Sequence, residues 1–497
     1  MAHIPSRLAG QLLPGLNLVN QGKVRNSYDL APAYGLYEIM GVEATNRISI
    51  FDYVLDAEVR QKGEVLTALN FFWVSQVLQD LFEHDLIACG ADVDPFLPAE
   101  LRGNPDLQKR FTVVRKLTPP TVEDIVRLNL TGSGWEAYQK TGAVCGHKLP
   151  PGLSNGCRLP YPLYTPTTKA DVGHDEHITA DSVAERYGVQ RERLAIQVAC
   201  LIADYAEKRG IIMADTKFEF SYHLSQLVLA DEKATPDSSR FWDKKEWLAA
   251  QAKGKLPSSQ DKQFVRNWGI EKGINKLTDP DNPEQIAQVQ SLVVPDEILE
   301  RTRRIYRYIF WRLTGMKLET FQREKMGIAV KDEKPLVQIL VGSRSDLEQI
   351  NIGLTHLRGK AKFVVSVMSC DRNPEELRNF AHDVLPCADV IIAGAGMSAR
   401  LPGAVKSHLC CFGHSEIPVI GVAFAGKSEA ENIAARAAIE EIPGKPLEVD
   451  GDGRAYFGWE GFKEACIASF SHEFQPKDIT AKPAEIGIIS HQGEQAV

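Results

Sequence analysis

The chain has 497 residues, 44% hydrophobic and 25% charged, with a formal net charge of −8. That balance suits a globular protein with substantial cores. At about 150 residues per domain, the length implies two to four domains. It disfavours a general nucleic-acid binder. No run approaches the ~18 apolar residues of a membrane span, and the first residues lack a signal-like apolar core. Nine cysteines lie scattered without a C-x-x-C pair, the pattern of reduced thiols, so a soluble cytoplasmic protein is expected.

In chain order, the first chemical segment is QGKVRNSYDL. Gly22, Lys23 and Arg25 form a basic turn between short strands that could cover phosphates or be an ordinary exposed turn. ATNRISIFDYVL sets Arg47, Ser49 and Asp52 among apolar residues. Polar groups in such company are either hydrogen-bonded within the fold or facing a ligand, and both readings stay open. Lys62 precedes a helix expected to run from Gly63 to His84, and GLYEIMGV and RFTVVRKL read as strands. EDIVRLNLTGSGW joins Arg127 to a small-residue loop containing Ser133. An arginine, backbone amides and a hydroxyl suit a phosphate, and a plain helix cap is the alternative.

TKADVGHDEHIT gathers Asp171, His174, Asp175, Glu176 and His177. It is a conceivable metal cluster, although not the helical H-E-x-x-H pattern. A helix is expected over 191–209. The alternation in ADTKFEF projects Asp215, Lys217 and Glu219 from one face of a strand, and Asp231, Glu232, Asp237 and Arg240 follow. Paired carboxylates near a lysine suit Mg²⁺ and nucleotide phosphates, with a solvated charged face as the plainer reading. Residues 295–315 form a further helix closed by Gly315, and the polar stretch 319–335 reads as a linker.

From 336 the texture changes. LVQILVGS, KFVVSVMS, DVIIAGAG and PVIGVAF are apolar runs without clean alternation, separated by helical stretches. That is the signature of a doubly wound α/β domain with a parallel, flavodoxin-like sheet. Ligands in such folds bind beyond the carboxyl ends of the strands, here GSRSD, SCDRNP, GAGMSARLPG and AGKSE.

The ordered motifs GKVRNSY, ATNRISIFD, KGEVLTALNFFW, IVRLNLTGSGW, TPTTKADVGHDE, ADTKFEF and TPDSSRFWD resemble the SAICAR synthetase family over essentially residues 1–315. The resemblance implies a two-lobed α+β ligase over 1–318. Such a ligase joins L-aspartate to carboxyaminoimidazole ribonucleotide with cleavage of ATP, assisted by Mg²⁺. It implies Gly22, Lys23 and Arg25 as the ATP phosphate loop, and Glu219 and Asp231 as the Mg²⁺ carboxylates with Lys217 beside them. Arg47, Ser49, Asp52, Lys62, Arg127, Ser133, Asp237 and Arg240 are expected to bind substrate, with Arg127, Ser133 and Arg240 implied at the ribonucleotide's 5′-phosphate. Two departures from the family pattern are Asn46 where an Asp is usual and Ser221 where a Gly is usual.

A domain over 336–474 is expected, and roughly residues 336–470 of it resemble the AIR carboxylase and N5-CAIR mutase family, through Ser343, Ser345 and Asp346 of GSRSD and through GAGMSARLPG and SCDRNPE. The resemblance implies a homo-oligomer, since that family assembles as an octamer. Where the family carries two histidines this chain has Asp371 and Arg400, with Arg372 adjacent. A carboxyl of ordinary pKa near 3.9 is a poor proton donor at neutral pH, and Arg372 would hold it ionised. The expectation is a carboxylase-like domain impaired in catalysis and kept for assembly or ligand binding. The alternative is a bifunctional enzyme. Residues 475–497 read as a polar tail.

Overall fold

The structure, a computed structural model, describes residues 3–474 apart from 10–11, 35–36, 119–121, 169–177, 258, 331–333, 384–387, 413, 415–416 and 473, together with 488–489 and 495–496. The cluster at 171–177 lies outside the described residues. The chain divides into two compact units, 1–332 and 333–497. No described helix is long and apolar enough to cross a membrane.

The first unit opens with β1 (Asn17–Gln21), β2 (Arg25–Tyr34), β3 (Tyr37–Ala44), the hairpin β4 (Arg47–Ile50) and β5 (Tyr53–Glu58), helix α1 (Lys62–Phe72), β6 (Leu86–Cys89) and β7 (Phe111–Arg115). Five of these strands form an antiparallel sheet in the order β1-β2-β3-β7-β6. Next come β8 (Val122–Asn129), α2 (Gly132–Thr141), β9 (Arg158–Tyr164), α3 (Gln190–Lys208), β10 (Ile211–His223), β11 (Gln226–Ala230) and β12 (Ser239–Asp243). The second sheet runs β9-β8-β10-β11, with β12 also paired to β10. Helices α1, α3 and α5 (Asp296–Thr314) bury a shared core against it, with Phe72, Ile202, Phe218 and Phe310 at its centre. Helix α4 (Gln263–Glu271) closes the hairpin β4–β5 through Val265 and Trp268.

Helix α1 begins where a side chain is forbidden. A Cβ on Gly63 would lie 2.1 Å from the Ala44 carbonyl oxygen. The Asn46 Oδ1 accepts the Gly63 amide at 3.2 Å, which gives the first departure from the family pattern a capping role. The single helix expected to His84 is interrupted. After Phe72 it widens into a π turn over Trp73–Leu78, then tightens into a 3₁₀ turn that begins at Gln79, whose φ is +42°. The widened turn lies where buried Trp73 donates its indole N–H to the Ala234 carbonyl at 3.0 Å, and such bulges mark positions where helical regularity yields to a tertiary contact.

The stretch from 319 is not a linker throughout. Leu318–Glu324 form helix α6, and Leu318, Phe321, Met326 and Ile328 are buried in the core of the first unit. Its polar residues misled because they face outward or pair, as Glu319 does with Arg307 at 2.5 Å.

The second unit is built from β13 (Leu336–Val341), α7 (Leu347–Leu357), β14 (Lys362–Val367), α8 (Pro374–Asp383), β15 (Val390–Ala395), α9 (Leu401–Cys411), β16 (Val419–Ala423), α10 (Glu429–Glu440), β17 (Tyr456–Phe457) and α11 (Gly458–Ser471). All five strands are parallel, in the order β14-β13-β15-β16-β17, the flavodoxin-like arrangement that the sequence implied. Val337, Ile339 and Ile392 face one core with α7 and α11, whereas Leu340, Ile391 and Ala393 face the other with α8, α9 and α10. Burial on both faces explains the continuous apolar runs. In the tail, Ile488–Ile489 pair with Gln495–Ala496.

Phe321 is 1% exposed, so Phe321→Ala should destabilise the first unit by about 3 kcal/mol in urea unfolding. A linker position would show no more than about 0.5 kcal/mol.

Candidate active site

The basic turn joins β1 to β2, closed by the Gly22 amide donating to the Arg25 carbonyl at 2.7 Å. Arg47, 2% exposed, lies beneath it. Its guanidinium donates to the carbonyls of Gly22 (2.9 Å), Lys23 (3.2 Å) and Arg25 (3.3 Å) and to Asn26 Oδ1 (2.8 Å). Through Nε and Nη2, Arg47 thus holds the turn in shape. Ser49 sits part-buried in the hairpin opposite Val54. Asp52, at the hairpin tip with φ +68°, pairs with Lys23 at 2.6 Å.

Arg25 reaches two consecutive acids, Asp231, which it contacts directly, and Glu232 at 2.8 Å. On β10, Lys217 pairs with Glu123 at 2.5 Å and Glu219 stands opposite Ala230, one residue from Asp231. Burial alone would lower the Lys217 ammonium, but Glu123 and Glu219 outweigh it and raise it. The second departure, Ser221, donates to the Thr118 carbonyl at 2.6 Å and ties β10 to the segment after β7.

Strand register builds the most cationic part of the cleft. Asp215 on β10 lies opposite Arg127 on β8 at one edge and opposite Arg240 on β12 at the other. Its Oδ2 accepts from Arg127 at 3.0 Å and also from Arg240. Arg127 also donates to Ser133 Oγ (3.0 Å) and Thr165 Oγ1 (3.1 Å). The backbone above favours glycine: Gly132 has φ +56°, and a Cβ there would lie 2.7 Å from the Arg240 guanidinium. Two guanidiniums, a hydroxyl and the amino end of α2 thus share one place.

Deeper in, fully buried Lys62 pairs with Asp237 at 2.6 Å, and Tyr306 donates to the same carboxylate at 2.5 Å. Burial alone would raise the Asp237 carboxyl, but Lys62 and Lys262 outweigh it and hold it below the usual carboxylate range. Burial pushes the Lys262 ammonium down to about 8 against the pull of Asp237. Arg266, one helical turn on, keeps a buried Nε with no hydrogen-bond partner among the described residues.

The residues of the cleft that the sequence did not single out are Glu123, Lys262, Arg266 and Tyr306. Lys262 and Arg266 had a signal in KQFVRNW, two cations four apart on one helix face. Tyr306 had none, being one more aromatic in an apolar helix.

In the second unit, the loops after β13, β14 and β15 meet at the point where strand order reverses. The Ser343 amide donates to Asp346 Oδ2 at 2.9 Å, while the Ser343 and Ser345 hydroxyls touch. Burial raises the Asp346 carboxyl. Asp371 and Arg400, both exposed, pair with each other at 2.8 Å. Arg372 turns away and donates to the Gly342 carbonyl at 2.8 Å. The guanidinium that meets Asp371 is thus not the sequence neighbour but the residue at the other altered position.

The SAICAR synthetase family model matches residues 18–280 and the AIR carboxylase model residues 336–445. The phosphoribosylaminoimidazole-succinocarboxamide synthase of Syntrophobacter fumaroxidans is 41% identical over 312 residues, 62% of this chain and 95% of its own. That of Maridesulfovibrio salexigens is 39% identical over 311 residues, 61% of this chain and 96% of its own. A solved structure of SAICAR-synthase from Saccharomyces cerevisiae complexed with SAICAR superposes with a TM-score of 0.51 at 34% identity, covering 62% of this chain and 97% of that one.

Arg47→Met would take a donor from three carbonyls and one amide oxygen of the turn, of which the Arg25 carbonyl keeps the Gly22 amide. It should cost about 3 kcal/mol in urea unfolding. A loss of substrate affinity with stability unchanged would instead return Arg47 to the substrate surface.

Proposed function

Because the chain belongs to the SAICAR synthetase family, we propose that its first unit joins L-aspartate to carboxyaminoimidazole ribonucleotide, with cleavage of ATP, in the cleft floored by Arg127 and Arg240. It is a carbon–nitrogen ligase of purine biosynthesis with an AIR carboxylase-type second unit. The observation that carries the site assignment is Asp215 between Arg127 and Arg240, beneath Gly132 and Ser133. A phosphate monoester needs convergent donors of this planar, charged kind. The unpartnered Nε of Arg266 supplies a further donor.

A carboxylate is a poor electrophile, so its oxygen first attacks the terminal phosphorus of ATP and ADP departs. The aspartate amine then attacks the acyl carbon, and phosphate leaves as the C–N bond forms. Three anionic reactants meet in one cleft, so cations and positioning supply the catalysis. Lys23 and Arg25 take the nucleotide phosphates on the turn that begins at Gly22 and that Arg47 holds. Lys62 and Asp237 support the ribonucleotide end, and Ser49 and Asp52 border it from the hairpin.

The acids fit Mg²⁺ in type and number. Among the described residues no three His, Cys, Asp or Glu side chains converge as a preformed metal site. Glu219 and Asp231 would hold the ion by one or two carboxylates and leave its remaining positions to phosphate and water, as Mg²⁺ prefers. When bound, the ion would neutralise charge on the polyphosphate. Arg25, already on Asp231 and Glu232, is placed to exchange carboxylate for phosphate oxygens.

In the second unit, Asp371 is engaged by Arg400 rather than free to face a substrate, which supports impaired catalysis there. The Ser343, Ser345 and Asp346 arrangement remains as a ligand-binding loop. Homo-oligomer assembly is supported by β14, an edge strand on which Val364 and Val367 are 48% and 43% exposed. The reaction belongs in the cytoplasm, where purine intermediates are made.

SAICAR formation by the purified chain, with ATP, Mg²⁺ and aspartate, tests both units. The inputs are the carboxylated ribonucleotide, its uncarboxylated precursor at low bicarbonate, and the N5-carboxylated form. Product from the first alone is expected; product from the N5 form as well would make the enzyme bifunctional. The pH profile tests Lys262. With its pKa depressed to about 8, the ammonium is present below that pH and lost above it. kcat/KM for the ribonucleotide should fall as pH rises through about 8, and Lys262→Arg should remove that limb. An unchanged limb in the variant would assign it to another group.

A further inference from the structure

Asp231 leaves β11 in the left-handed region, with φ +57°. This conformation is uncommon for a residue with a side chain, and it persists only where its surroundings hold it. Here both peptide groups of Asp231 are held. Its N–H donates to Asp85 Oδ2 at 2.9 Å, and its carbonyl accepts from Lys233 Nζ at 2.6 Å. The two holding groups pair with each other, Lys233 Nζ to Asp85 Oδ1 at 2.7 Å, and both are buried, Lys233 at 0% exposure.

Asp85 is itself fixed at the seam between the two sheets of the first unit. Its N–H donates to Leu229 on β11 at 3.1 Å, its carbonyl accepts from Arg115 on β7 at 2.8 Å, and the Leu229 amide donates to Glu83 at 2.8 Å.

A buried ion pair is weak evidence for stability, because desolvation offsets most of the attraction; its better-attested use is to fix one conformation. The conformation fixed here has a visible result. Consecutive residues of an extended strand send their side chains to opposite faces. The left-handed residue breaks that alternation, and Asp231 and Glu232 both reach the one guanidinium of Arg25.

We propose that Asp85 and Lys233 are positioning residues for the nucleotide's divalent cation, holding the Asp231 backbone so that its carboxylate is presented to that cation. The proposal rests on the assignment of Asp231 to that cation. Neither residue touches the reactants; both act through Asp231.

The test uses the full chain as wild type, as Asp85→Asn/Lys233→Met, which removes both buried charges together, and as Asp231→Asn. Binding of Mn²⁺·ADP is measured by calorimetry, alongside KM for MgATP and for the ribonucleotide. The paired variant should weaken Mn²⁺·ADP binding by about tenfold or more, as loss of outer supports of metal ligands does. KM for MgATP should rise in step while KM for the ribonucleotide stays within about twofold, a split that general loosening of the fold would not produce. Wild-type Mn²⁺·ADP affinity in the paired variant, together with its loss in Asp231→Asn, would overturn the positioning role and leave the Asp231 assignment standing. Wild-type affinity in Asp231→Asn would overturn the assignment itself, and the inference with it. Should the paired variant not fold, Asp85→Asn alone, which removes one acceptor from the brace, carries the same comparison.

Discussion

Arg127 and Arg240 would repel each other if Asp215 did not lie between them. At an effective dielectric near 20, two like charges roughly 4 Å apart cost about 4 kcal/mol. A cleft that must hold anions needs such cations close together before any ligand arrives. A carboxylate between them solves this by neutralising both. The same device recurs at Asp237, which holds Lys62 and faces Lys262, and in Glu123 beside Lys217. The site is therefore built of acids interleaved with bases, and the fold is what keeps them in register.

Strand β10 does most of that keeping. It pairs with β12 along its start, β8 at its middle and β11 at its end. Asp215, Lys217 and Glu219, two residues apart, therefore meet different neighbours, namely the arginine pair, Glu123 and the turn carrying Asp231. A slip of one residue would turn all three to the other face and into the core that Phe218 and Phe220 occupy. The chemistry of the ligase unit is thus a consequence of β-sheet register, with helices α1, α3 and α5 supplying the burial that holds the register fixed.

Much of this was legible in the sequence because local patterns carry it. Alternation in ADTKFEF placed its three charged residues, continuous apolar runs after 336 gave the parallel sheet, and Gly315 marked a helix end that the structure reproduces at φ +73°. What stayed open and what was misread share a cause. Arg47 among apolar residues could face a ligand or the backbone, and no local pattern distinguishes a carbonyl acceptor from a phosphate. Leu318 and Phe321 were hidden by charged neighbours in a helix of only seven residues, too short to show a period. Asp85 and Lys233 were beyond reach, since their pairing depends on two sheets meeting at residues far apart in the chain. In the sequence Asp371 and Arg400 were two separate oddities. The structure makes them one, because each answers the other's charge.

Arg25 gives the cleft a property of its own. With the guanidinium on Asp231 and Glu232, these two acids already have a counter-ion, supplied by the protein and tethered to it. A bare divalent ion must evict that counter-ion with nothing to offer it in return. A metal arriving on a nucleotide brings phosphate oxygens that can receive the displaced guanidinium, so the exchange conserves charge pairing at every stage. On the assignment proposed for these acids, the exchange therefore favours a metal that enters with its nucleotide.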